Sequence, residues 1–254
     1  MISASMFLQQ LKRSWAVTKK DVRIYYSKGP VVIFGLLLPM FLFLAFFVGR
    51  NLTAKELFPG LIGMTAFFTS TSVGPLILPW ETQSKTLERL VCSPISIWAA
   101  LFGDILASFV FGTLISVVVP FAVGLIIGVQ ITSLLVLAVG LVLATFCFSA
   151  LSVLLSVYPP TDMPSTVMML SSMVKFPLVF ISGVFVPLSQ LPEWGKIISY
   201  VSPLTYFTDL ARYATGSVSN YSPVVDLGVL AFFTLGFLVG AIKLHQRFFS
   251  KRFS

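Results

Sequence analysis

The charges of this chain fall in blocks, and long apolar runs separate them. Val31–Gly49 is 19 residues without a charge, and Phe58–Trp80 is 23. A helix rises about 1.5 Å per residue, so about 20 residues cross the roughly 30 Å hydrocarbon core of a bilayer. Lipid offers backbone groups no partner, so each run must close its own hydrogen bonds as a helix. A β-barrel would show short alternating segments instead. The pattern therefore predicts an all-α, multi-spanning membrane protein. Only 10% of the residues are charged, where soluble domains carry about 25%, and no polar segment is long enough to form a soluble domain.

Six spans are predicted, at Val31–Gly49, Phe58–Pro79, Ile97–Ile127, Ile131–Val157, Ser165–Val186 and Val224–Leu244. The chain reads as one membrane domain over 1–254. An amphipathic amino-terminal segment covers 1–30, the six-span region covers 31–244, and a basic tail covers 245–254. Orientation follows from lysine and arginine. Twelve fall on one side of these spans, in the amino-terminal segment, the loop after span two and the tail; four fall opposite, at Arg50, Lys55, Lys196 and Arg212. The positive-inside rule then places both termini in the cytoplasm, which fits a multi-pass protein of the cell membrane. The net charge of +8 sits beside the spans, so it reads as topology signal and anionic-lipid contact rather than nucleic-acid binding.

Three segments outside the spans carry pattern. Residues 6–26 repeat Phe7, Leu11, Trp15, Val22 and Tyr25 or Tyr26 at helical spacing, with Lys12, Arg13, Lys19, Lys20 and Arg23 around them. Such a helix lies in the membrane interface. The inward loop Glu81–Pro94 is the most polar on its side. Leu87, Leu90 and Val91 share a helical face, Glu81 and Lys85 form a favourable pair four apart, and Glu88 and Arg89 complete a charged rim. A short helix of this kind suits a groove on a soluble partner; read plainly, it is a solvated turn. The outward segment before the last span predicts two short helices. Pro192 opens one at Glu193-Trp194; Ser202-Pro203 opens the other, and Gly216 stops it. Leu204, Phe207, Leu210, Ala211 and Ala214 make its apolar stripe, with Asp209 and Arg212 off it. Trp194, Tyr200, Tyr206 and Tyr213 suit the outer interface, so both helices are expected to dip into the outer leaflet or to cap the spans.

Lys175 stands near the middle of the fifth span, beside Phe176-Pro177. A charge there costs about 2.5–3.5 kcal/mol on insertion scales. It must face protein or water, either lining a path or serving a structural pair. Asp104 lies about two turns into span three, on the cytoplasmic side, where it is expected to snorkel or to pair with an inner basic residue. Gly124-x-x-x-Gly128 and Gly236-x-x-x-Gly240 permit close helix approach. Cys92 and Cys147 make neither a disulfide framework nor a metal pattern, and His245 is expected to be solvated in the tail. The chain carries no Gly-x-x-x-x-Gly-Lys-[Ser/Thr] phosphate loop, no His-Glu-x-x-His and no Gly-x-Ser-x-Gly. Catalytic residues and metal ligands are therefore none, and energised transport would draw on a partner or an ion gradient.

Two motifs resemble the membrane subunit of an ABC transporter of the type-2 exporter class. One is Glu81 followed by Thr86-Leu87-Glu88-Arg89-Leu90 and Pro94, similar to that family's coupling-helix region. The other is Ser182-Gly183-Val184-Phe185-Val186-Pro187, then Leu191-Pro192-Glu193-Trp194, Ser202-Pro203-Leu204-Thr205-Tyr206, Asp209 and Arg212. The family commonly has Gly where this chain has Lys85. The resemblance implies two copies of the permease or two related permeases, and separate ATPase subunits that hold ATP and Mg; this chain itself binds no cofactor. It also implies coupling through Glu81, Lys85, Leu87, Glu88, Arg89 and Leu90. By analogy spans two and five line the path, which puts Lys175 and Phe176 at it. The expected function is ATP-driven export of an amphiphile, drug-like or lipid-like. The alternatives are export of a lipid-linked polysaccharide and a gradient-driven transporter or channel.

Overall fold

The structure, a computed structural model, describes residues 4–26, 28–47, 54–157 and 161–248. Arg50, Lys251 and Arg252 of the charge count, the end of the first predicted span at 48–49 and the tail from 249 lie outside the described residues. Every regular element described is a helix. In chain order these are α1 (Ala4–Ile24), α2 (Gly29–Val32), α3 (Leu38–Phe47), α4 (Ala54–Thr71), α5 (Gly74–Gln83), α6 (Thr86–Val91), α7 (Ile97–Ile127), α8 (Leu134–Leu155), α9 (Pro164–Ile181), α10 (Glu193–Ser199), α11 (Pro203–Ala214) and α12 (Pro223–Phe248).

Five stretches are long and apolar enough to cross a membrane: Glu56–Gln83, α7, α8, α9 and α12. Of the first predicted crossing, Gly35–Ala45 forms a shorter apolar helix. A π turn at Ile33–Leu37 joins α2 to α3. Pro39 lies just after it and cannot donate to the carbonyl of Gly35, so the ladder there loosens. The second predicted crossing is not one helix. It breaks between α4 and α5 at Ser72–Val73, just before Pro75. The fifth ends at Ile181, and Ser182 onward turns back over the bundle.

The core lies where α4, α8 and α11 meet. The Phe67 and Phe148 rings meet edge to face at 5.1 Å, and Phe148 and Phe207 at 6.2 Å. Contrary to the expectation of a leaflet-dipping helix, α11 is enclosed by α4, α8 and α12, with every residue from Pro203 to Arg212 buried. Close approach requires Gly63 on α4, because a Cβ there would lie 2.5 Å from the Thr208 methyl. Exposed apolar side chains stand instead on α10, whose Trp194 and Ile197 are about two-thirds exposed.

Two further expectations are corrected. His245 is buried because α12 continues along the end of α8; its Nε2 lies 3.0 Å from the Val153 carbonyl oxygen. Within this chain neither glycine pair brings two helix backbones together. Gly124 abuts the Phe58 ring, Gly128 takes the left-handed conformation that caps α7, and nothing lies within 4 Å of a Cβ at Gly236.

Candidate functional site

Polar side chains gather at three places in this apolar bundle. The first is the end of the bundle where α1 grips α5, α6 and α7. The α1 wheel carries three faces. Leu8, Trp15 and Val22, seven apart, are exposed. Lys12, Lys19 and Arg23 flank them on one side. The third face is small and polar, and it docks on α7. Ser14 donates to the Ala99 carbonyl at 2.6 Å and Thr18 to the Gly103 carbonyl at 3.0 Å. Gln10 accepts from the Ser96 amide at 3.0 Å, and Arg13 donates to the Pro94 carbonyl. Phe7 stacks on Trp98 at 5.7 Å, Tyr25 on Trp80 at 5.4 Å, and Tyr26 donates to Ser108 at 2.9 Å.

Beneath this face lies a buried charge cluster. Lys20 pairs with Glu81 and reaches Asp21 at 3.1 Å, and Asp104 of α7 lies against Asp21. Burial opposes the charge on Lys20, but Asp21, Glu81 and Asp104 more than offset it and raise the ammonium's pKa. Burial pushes the Asp21 carboxyl upward against the pull of Lys20. Burial likewise raises the Tyr25 hydroxyl to about 12. Asp104, expected to snorkel or to pair with an inner basic residue, lies instead against another acid, Asp21, with Lys20 acting on both. The predicted Glu81–Lys85 pair is not formed. The α5 helix stops at Gln83, Lys85 turns left-handed at φ 54°, and Glu81 is 2% exposed against Lys20.

That turn sets the face of α6. Leu87 is buried and Leu90 half-buried against the bundle, whereas Lys85, Glu88 and Arg89 are exposed. The Val91 side chain lies outside the described residues. The surface offered outward is charged, and the apolar face expected to meet a partner is already covered by α5 and α7.

The second place is the break between α4 and α5. Thr71 Oγ1 donates to the Phe67 carbonyl at 2.7 Å and Ser72 Oγ to the Thr69 carbonyl at 2.9 Å. Lys175 of α9, 5% exposed, donates to the Thr71 carbonyl at 3.3 Å. Phe176, half-buried, packs its ring 5.9 Å from Phe68.

On the opposite end, Asp209 is buried and accepts from the Asn220 amide at 2.9 Å and the Tyr221 amide at 2.9 Å. It pins the chain that leads into α12. Arg212 donates to the Gly183 carbonyl, and Tyr206 donates to the Tyr200 carbonyl at 3.2 Å. Ser202 holds the predicted N-cap position, yet its hydroxyl donates to the Leu178 carbonyl at 3.0 Å. Asp209 and Arg212 therefore serve backbone groups rather than an exposed surface, and Trp194 stands apart on α10.

Sequence reasoning missed the polar face of α1. Its signal was present: Gln10, Ser14, Val17, Thr18 and Asp21 recur at helical spacing as short side chains able to meet a neighbouring backbone.

Residues 7–215 match the family model described as ABC-2 type transporter. The chain is 27% identical over 252 residues to ycf38 of Cyanophora paradoxa, named a transport permease, covering 92% of this chain and 83% of that one. It is 28% identical over 100 residues to the inner membrane transport permease YadH of Escherichia coli K12, covering 39% of this chain and 38% of YadH. It is 23% identical over 156 residues to YbhR of the same strain, named a multidrug ABC transporter permease, covering 61% of this chain and 42% of YbhR.

Proposed function

The chain belongs to the ABC-2 type transporter family, and from that premise we propose that it forms the membrane path of an ATP-driven exporter of amphiphiles. It is a multi-pass membrane transport permease rather than an ATPase, as its relatives are named. Membership implies an ATPase partner, which would hold ATP and Mg. The proposal adds a second copy or a related permease, six crossings with the first at Val31–Gly49, both termini cytoplasmic, and the cell membrane as location. The charge asymmetry of the loops supports that orientation.

One observation carries the reading: the family match runs unbroken from α1 to the end of α11, over 7–215. The arrangement suits coupling. The exposed Lys85, Glu88 and Arg89 would meet the ATPase, and motion of α6 would pass to α1 through Glu81 and Lys20 and on along α5 to the break beside Lys175. Lys175 and Phe176 would then lie where the path opens. The multidrug designation of YbhR favours a drug-like or lipid-like substrate over a lipid-linked polysaccharide.

The test is purification of the tagged chain from its native membrane in mild detergent, with identification of co-purifying subunits and an assay of ATP hydrolysis. A stoichiometric ATPase subunit carrying a phosphate loop is expected. A chain that repeatedly purifies alone and without hydrolysis would overturn the reading in favour of a gradient-driven transporter.

A further inference from the structure

A cavity of about 230 Å³ lies between α6 and the inner ends of α5 and α7. Leu78, Leu87, Leu90, Ile97 and Leu101 make its walls, and the acidic group among its lining residues is Asp104, only 4% exposed. An apolar cavity lined by one buried carboxyl group has a definite chemical complement. The charges around it sharpen that complement. Asp104, Asp21 and Glu81 are three carboxylates gathered about the single ammonium of Lys20. Lys20 reaches Asp21 and Glu81, and among the described residues no basic side chain forms an ion pair with Asp104. Three carboxyl groups share one ammonium, so the cluster holds an excess of acidic groups, and a buried charge without a partner is costly.

We infer that this cavity is a binding site for an alkylamine, whose ammonium meets Asp104 and whose chain fills the sleeve beneath α6. An apolar cavity of about 150 Å³ accepts benzene, so this one has room for a chain of roughly eight carbons. An alcohol of the same length would fill the sleeve but bring Asp104 no cation, and a fatty acid would add a further carboxyl group to an acidic cluster. An occupant would also hold Leu87 and Leu90 against α5 and α7. Its influence on coupling rests on the function proposed above; the binding does not.

The test uses the full chain in phosphatidylcholine nanodiscs and a photoactivatable diazirine analogue of octylamine, with the labelled peptides mapped by mass spectrometry. Labelling is expected within 87–104, and octylamine should compete about tenfold better than 1-octanol, as one charge-assisted contact implies. Asp104→Asn should erase that difference. Ala100→Phe, which fills the cavity from its wall without touching the charges, should abolish labelling while the thermal midpoint is retained. Equal competition by octylamine and 1-octanol, or labelling that survives Ala100→Phe, would overturn the assignment. A separate arm adds octylamine to the co-purified ATPase complex. Altered hydrolysis that Ala100→Phe abolishes supports the coupling consequence; positive labelling with unaltered hydrolysis removes that consequence and leaves the site.

Discussion

Lys175 Nζ donates to the carbonyl oxygen of Thr71 at 3.3 Å, and Thr71 stands four residues before Pro75. In an unbroken helix that carbonyl would accept from the amide of residue 75, which proline lacks. The lysine of one span therefore closes the backbone gap that a proline opens in another. Its charge also meets the negative end of the α4 dipole. Here the cost of an intramembrane cation is offset by an obligatory donor.

Lys175→Met should leave the Thr71 carbonyl bare and lower stability by about 1–3 kcal/mol, the cost of an unsatisfied buried acceptor. Thermal unfolding in nanodiscs reads this. Pro75→Ala restores an amide at the break and should recover much of the loss in the double variant, since residues that share one bond couple. If Lys175→Met instead abolishes transport while the thermal midpoint stays unchanged, the lysine serves the path and not the backbone.

The docking of α1 should loosen as pH rises. Burial raises the Asp21 pKa above its ordinary 3.8, so the folded state holds that proton longer than the unfolded state does. Stability is then full below the ordinary carboxylate range and is lost as pH climbs through the raised value. Lys20 works in a separate window. Its raised pKa keeps the pair with Glu81 at full strength below its ordinary 10.5. Hydrogen exchange of α1, corrected for intrinsic rates and followed from pH 4 upward, should show protection falling as pH rises above the ordinary carboxylate range. Asp21→Asn should flatten that slope, and protection that increases with pH would contradict the argument.

Much of this architecture was legible because the bilayer imposes one rule on every span. The α7 boundaries, Ile97–Ile127, agree with hydropathy alone, and the caps of α11 follow from Ser202-Pro203 and Gly216. What escaped was whatever depends on a partner far along the chain. Periodicity marks Asp209 and Arg212 as off the apolar stripe of α11, yet it cannot reveal that the loop amides of Asn220 and Tyr221 wait for the aspartate. It pairs Glu81 with Lys85 four residues on, but the helix ends between them and Lys20, sixty-one residues away, takes the carboxylate. The inner cluster was missed for the same reason. Its members come from three helices, and each alone resembles a solvated charge.

Lys85 carries a local cost that its resemblance to the family already marked. Its φ of 54° is left-handed, where glycine is at ease and other residues lose roughly 1 kcal/mol or more. Lys85→Gly should therefore stabilise the α5–α6 turn by about 0.5–1 kcal/mol, after the added freedom of the unfolded glycine is counted. Lys85→Ala keeps the strain and should show no such gain. Equal midpoints for the glycine and alanine variants would remove strain as the reason.

The outward face of α6 makes a prediction about coupling. Glu88 and Arg89 are exposed and hold no buried role, so reversing both charges, Glu88→Lys with Arg89→Glu, should leave folding within about 0.5 kcal/mol. In the assembled transporter the same reversal should uncouple ATP hydrolysis from transport. Leu87→Ala behaves oppositely: Leu87 is 1% exposed, and its truncation should cost about 2–5 kcal/mol whether or not a partner is present. Normal coupling in the charge-reversed transporter would place the ATPase contact elsewhere.

Two glycines separate contacts within the chain from contacts between copies. A Cβ at Gly103 would lie 2.7 Å from the Val17 Cβ and 2.8 Å from the Ser14 carbonyl oxygen, so both helices would have to part. Gly103→Val should cost about 1–3 kcal/mol through overpacking and release α1, read as protease sensitivity after Lys19 and Lys20. A Cβ at Gly236 on α12 meets nothing within 4 Å, so Gly236→Leu should leave the thermal midpoint of the isolated chain unchanged. Small residues on an exposed face of a span let a second helix approach closely. If a second permease packs on this face of α12, Gly236→Leu should shift the dimer toward monomer in native mass spectrometry while Gly103→Val should not. A dimer indifferent to Gly236→Leu would move the interface off this face.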